Sequence, residues 1–191
     1  MNNVIKAIQS IYPEINGGFV YWQTKQDGTP HNNPIDGLIW ENTEFEKPTW
    51  EQIESKLSGI DLQEAKDKKE LEIKALRKAN LLKSTPQTIT YSGNLENKTF
   101  NINENDIDKF TTIIASLQDD IDNGAVNPTR NWSDETGERL SLDINDFKSL
   151  RKHLNLRDEQ EFDQARLKIE ALELLETIEE IEAFDITQVI V

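Results

Sequence analysis

The chain contains no cysteine, so disulfide bonds and thiolate metal sites are excluded outright. It also lacks any apolar run approaching the roughly 20 residues needed to span a bilayer. Met1 to Ser10 has no basic segment followed by an apolar core, so no secretory signal is expected. Without that route, the sequon matches Asn97-Lys98-Thr99 and Asn131-Trp132-Ser133 are read as chance. Only two histidines occur, His31 and His153, in different segments, and neither has a candidate triad around it. Gly-rich phosphate loops, HExxH and nucleophile elbows are absent from the sequence as well. The chain therefore reads as non-enzymatic, with no catalytic residues, no cofactor and no metal.

Basic charge is scarce too. Against 36 acidic residues stand 21 basic ones, a net of −15. Such a surface repels phosphate backbones and anionic lipid, which argues against nucleic-acid and membrane partners. The balance is uneven: Asp61 to Lys83 holds seven basic and five acidic residues, whereas Asp158 to Val191 holds two and eleven. This asymmetry either orients a partner or simply solubilises a helix face. Hydrophobic residues make up 36% and charged residues 30% of 191. That profile suits small cores joined by long exposed helices better than one thick core.

What is present organises into three regions, 1–59, 60–84 and 85–191. The first is a small β-containing unit. Phe19-Val20-Tyr21-Trp22 is β-prone and is followed by the turn-rich Gln26-Asp27-Gly28-Thr29-Pro30. Leu38-Ile39-Trp40 is a second β-prone run. Thr49 with Gln52 forms a capping-box pattern, so a helix is expected from Trp50 to Gly59. Trp22, Trp40 and Trp50 all lie here; they are either core residues or contact residues.

Asp61 to about Leu82 predicts one long polar helix ended by Pro86, with a thin stripe of Leu62, Ala65, Leu71, Ile73, Leu76 and Ala79. Lys69 interrupts any heptad seam, which favours a spacer over a coiled coil. Self-association stays open.

The third region carries an internal echo. Thr99 to Ile107 lies over Arg139 to Phe147 at a constant offset of 40. Phe100 and Ile102 match Leu140 and Leu142 at strand spacing. Asn103 and Asp143 are good N-caps, and Asp106 and Asp146 follow in the first helical turn. Ile107, Phe110 and Ile114 match Phe147, Leu150 and Leu154 at helical spacing. Ile89-Thr90-Tyr91 and Thr129-Arg130-Asn131-Trp132 precede each copy as partner strands. The expected architecture is α+β: two hairpin-then-helix units, whose strands could form one small antiparallel sheet, and a long terminal helix from Asp158 to about Ala183. Duplication and coincidence both account for the echo. Asp119 to Gly124 resembles a calcium loop, but Ile121 and Arg130 occupy ligand positions, so a helix end capped by a left-handed Gly124 is the better account. The β-prone end, Phe184 to Val191, is expected either to tuck onto its own domain or to add to a partner's sheet edge through Phe184, Ile186, Val189 and Ile190.

From about Ala79 to Glu182 the sequence resembles a domain of unknown function found in bacteriophage and prophage tail proteins, encoded near tail-fibre and baseplate genes. Four pieces carry the resemblance, in order. The first is Tyr91-Ser92-Gly93 leading to Lys98-Thr99-Phe100. Next come Asn131-Trp132-Ser133-Asp134 leading to Leu140-Ser141-Leu142, and then Asp146-Phe147-x-x-Leu150. The last is Phe162-x-x-Ala165-Arg166-x-Lys168-Ile169 running into Ile178-Glu179-Glu180-Ile181. Asp36-Gly37-Leu38-Ile39-Trp40 before Pro48-Thr49-x-x-x-Ile53 is similar to the opening of short XkdW-type prophage tail proteins. The resemblance implies a structural or accessory protein of the tail, bound to fibre or baseplate, located in the virion. The alternative it allows is a fibre-assembly chaperone that stays in the host cytoplasm. A reading from a different class is a carbohydrate-binding module using Trp22, Trp40 and Trp50 as stacking platforms.

Overall fold

The computed structural model describes residues 3–91 and 96–190. Ser92 and Gly93 of the Tyr91-Ser92-Gly93 piece, and the terminal Val191, lie outside the described residues. The fold is α+β, with helices and three two-stranded antiparallel ladders, and the chain divides into two compact units. Unit 1 comprises residues 1–70 and 172–184; unit 2 comprises 71–171 and 185–191.

Unit 1 begins with α1 (Asn3–Ile11), an element absent from the sequence reading. Its signal is nonetheless there: Val4, Ala7, Ile8 and Ile11 recur at helical spacing, and Val4, Ala7 and Ile8 are buried. Pro13 cannot continue the helix. β1 (Phe19–Tyr21) and β2 (Leu38–Trp40) pair antiparallel with Phe19 opposite Trp40 and Tyr21 opposite Leu38. The core gathers Ala7, Ile8, Ile15, Leu38 and Ile53, with Tyr12, Phe19, Trp40 and Trp50 packed around it. Asn3 ties α1 to the next helix through Asp61 at 2.6 Å and Glu64 at 2.9 Å, and Lys6 pairs with Glu64.

That next helix, α2 (Trp50–Leu82), starts at the expected capping box: the Gln52 amide donates to Thr49 Oγ1 at 3.3 Å, and the Thr49 amide donates to Gln52 Oε1 at 2.8 Å. It does not stop at Gly59. One interior glycine costs about 1 kcal/mol relative to alanine, less than opening two new helix ends with their orphan amides and carbonyls. The expected break between two helices is therefore bridged, and α2 runs 33 residues.

In unit 2, β3 (Thr85–Thr90) and β4 (Asn97–Ile102) form the first hairpin, followed by α3 (Asp106–Asp122). β5 (Arg130–Ser133) and β6 (Arg139–Leu142) form the second, followed by α4 (Ile144–Glu173). The two ladders stay separate and do not make one continuous sheet. Among the described residues the backbone bond between them runs from the Glu135 amide to the Thr99 carbonyl at 2.9 Å, with Lys98 reaching Glu138 at 3.0 Å. The turn after β5, rather than a strand, faces the edge of β4.

The echo recurs in the hydrogen bonds. The Asn103 amide donates to Asp106 Oδ2 at 3.1 Å, and 40 residues on the Asp143 amide donates to Asp146 Oδ2 at 3.0 Å. Asn103 Oδ1 accepts from the Asn105 amide at 2.9 Å, and Asp143 Oδ1 from the Asn145 amide at 2.7 Å, but only Asp143 also takes the amide of its Asp146, at 3.0 Å. α3 has Asn105 at its N-cap with no side-chain bond, so Asn103 is not the cap expected. Phe100 and Leu140, Ile102 and Leu142, Phe110 and Leu150 are buried in one core. The first strands break the offset: Gln87 pairs with Phe100 and Trp132 with Leu140, a displacement of 45. The first hairpin continues two rungs further and has a longer loop, which absorbs the difference. Phe110, Trp132 and Phe147 form a ring cluster with centroids 4.9, 5.7 and 6.2 Å apart. α3 closes as expected, with Gly124 at φ +90°.

α2 ends at Leu82, before Pro86. Arg157 donates to the Asn80 and Lys83 carbonyls, so the last turn has partners, and Pro86 sits within β3 opposite Asn101. The terminal helix also differs from expectation. It starts at Ile144 instead of Asp158, since nothing between breaks helical spacing, and it is interrupted after Glu173. There Lys66, itself buried, donates to the Glu173 carbonyl at 2.6 Å. A capping box of Thr177 and Glu180 then starts α5 (Ile178–Ala183).

Candidate functional site

Strand alternation in unit 1 divides its aromatic residues between two faces. Phe19 and Tyr21 turn toward the core, whereas Val20, Trp22 and Ile39 are 48, 59 and 49% exposed. Val20 and Ile39 are register partners, so the outer face of the hairpin is apolar and ends at the Trp22 ring.

Three local structures set that ring in a groove. The Trp22 amide donates to the Gly37 carbonyl at 2.9 Å. Gly37 closes a 3₁₀ turn, Pro34–Gly37, capped by Asn33, whose Oδ1 accepts from the Ile35 amide at 3.2 Å. A side chain at Gly37 would place its Cβ 2.2 Å from the Trp22 carbonyl oxygen, so only glycine permits this approach. After Trp22 the chain makes a tight loop: the Lys25 amide bonds the Thr29 carbonyl at 2.8 Å, and Asp27 accepts from the Thr29 amide and hydroxyl at 2.9 and 2.6 Å. The Thr29 hydroxyl, foremost, holds the Asp27 carboxyl below its ordinary pKa. Trp22, Lys25, Gln26, His31, Asp36 and Ile39 line the resulting groove of about 560 Å³. The His31 Nε2 is buried and has no hydrogen-bond partner among the described residues.

Trp40 and Trp50 are placed differently. Trp40 stacks on Phe19 at 5.6 Å, and its indole N–H donates to the Phe45 carbonyl at 3.0 Å. Trp50 is half-buried against the unit 1 core. The three rings thus share no common surface.

At the chain end, Phe184 belongs to unit 1, while Ile186, Val189 and Ile190 belong to unit 2. No strand forms there among the described residues. Asp185 accepts from Thr187, whose hydroxyl is the main cause of a lowered Asp185 pKa. The Gln164 side chain takes both backbone groups of Ile190, accepting from its amide and donating to its carbonyl, each at 3.0 Å. Of the two expectations for this segment, it lies on its own chain with Val189 exposed.

Sequence reasoning singled out Trp22 but not Gln26, Asp36 or Gly37, and weighed His31 only as a catalyst. Phe19 to Trp22 is apolar throughout, so its alternation does not say which face turns outward, and the structure places Trp22 on the exposed one. The approach of the 3₁₀ turn to Trp22 had no local signal. Among the described residues, no three His, Asp or Glu side chains converge as a metal site, and no helix is long and apolar enough to cross a membrane. Asp120, inside the rejected calcium loop, pairs with Arg130 at 2.7 Å. Compared with family models, curated proteins and solved structures, the chain matches none.

Proposed function

We propose that this chain is a non-enzymatic bacteriophage tail protein that associates with fibre or baseplate through protein–protein contacts. The observation that carries the reading is the resemblance across residues 79–182, whose four pieces follow one another in order along the chain. Leu71, Phe162 and Val189 of unit 2 are exposed apolar side chains outside the unit's core and are available to a partner.

Mass spectrometry of purified virions tests this. A near-stoichiometric amount identifies a structural part of the tail. Absence from virions, with co-purification alongside a fibre protein from lysate, assigns the chaperone role instead. Absence from both removes the tail reading.

A further inference from the structure

We propose that the Trp22 groove of unit 1 is a binding site for a neutral pyranose sugar. Trp22 is 59% exposed, whereas Trp40 and Trp50 pack against the unit 1 core, and the Trp22 backbone is held between the 3₁₀ turn and the Lys25–Thr29 loop. The backbone that carries the ring is therefore already ordered before a ligand arrives. Around the ring stand an acceptor, Asp36, a donor, Lys25, and an amide that does both, Gln26.

A pyranose has the matching two-sided chemistry. Its C–H face lies on an aromatic plane, and its equatorial hydroxyls both donate and accept at the rim. An apolar peptide segment would desolvate the carboxylate and ammonium without pairing them. Acidic sugars and phosphate-bearing ligands meet adverse charge, since residues 1–59 hold four lysines against eight carboxylates and the chain as a whole is −15. The groove of about 560 Å³ lies inside the roughly 300–1,000 Å³ range of small-molecule sites. The tail reading does not depend on this proposal: a groove that binds no sugar leaves the virion measurement unchanged.

The test is titration of the full chain with glucose, galactose, N-acetylglucosamine and rhamnose, read by tryptophan emission and by calorimetry. A saturable change with at least one sugar in the millimolar range is expected. Trp22→Ala should weaken that binding at least about tenfold, Asp36→Asn should weaken it less, and Trp22→Phe should keep part of it. Circular dichroism shows that each variant is folded, and Trp22 is exposed enough for the substitution to leave the core intact. No saturable change with any of the four sugars, or unchanged affinity in Trp22→Ala, overturns the proposal. So does a fall in solution mass on Trp22→Ala, which would make the groove a contact between copies of the chain.

Discussion

Asp134 holds the turn between β5 and β6 through a single oxygen. Its Oδ1 accepts from the Thr136 hydroxyl at 2.7 Å and from the Thr136 and Glu138 amides at 2.9 Å each. These bonds, the hydroxyl foremost, keep its carboxyl below the usual aspartate value. A folded pKa lower than the unfolded one means stability that is complete above about pH 4 and is lost as pH falls through the folded value. Asp27, Glu180 and Asp185 shift the same way through their own turns and cap. Urea midpoints measured from neutral to acid pH should therefore hold steady and then drop below about pH 4, and Asp134→Asn should flatten part of the drop. Core residues act through packing instead. Phe110 is fully buried between Trp132 and Phe147, so Phe110→Ala should cost about 3–5 kcal/mol in urea unfolding.

Elements were legible where local chemistry decides them. The Thr49–Gln52 cap, the Gly124 helix end and the two Asn/Asp-to-Asp joints needed only neighbouring residues. Both aspartates accept from the amide three residues before them, so Asp106→Ala and Asp146→Ala should each cost about 1 kcal/mol by chemical denaturation. A large inequality between them would show that the echo does not extend to energetics. Gly59 is the instructive miss. In isolation it reads as a stop, yet it sits inside α2 with open space where a Cβ would go. Gly59→Ala should therefore raise stability by about 0.5–1 kcal/mol. Failure to stabilise would mean that the glycine is kept for a contact the isolated chain does not make. The break after Glu173 is the opposite case. Thr177 and Glu180 mark the new helix start locally, whereas the ammonium that takes the Glu173 carbonyl comes from Lys66, more than a hundred positions earlier.

Across the whole molecule, charge governs behaviour more than core size. A net of −15 repels itself in the folded state, and screening shortens the reach of that repulsion from about 30 Å at 0.01 M salt to about 8 Å at 0.15 M. The thermal midpoint should rise over that range, which scanning calorimetry measures directly; a fall would mean that the surface ion pairs outweigh the net repulsion.

The sequence by itself determined the α+β class, the strand-to-helix order of unit 2, and the exclusion of disulfides. All of these follow from spacing, propensity and charge within a few neighbouring residues. Only the tertiary structure decided that two ladders stay separate and that the turn after β5 meets β4 through the Glu135 amide and the Thr99 carbonyl. It also separated Trp22 from Trp40 and Trp50, closed the groove with the approach of Gly37, and laid the chain end against Gln164. Those outcomes depend on groups far apart in the chain meeting within hydrogen-bond distance, and no local pattern records such encounters.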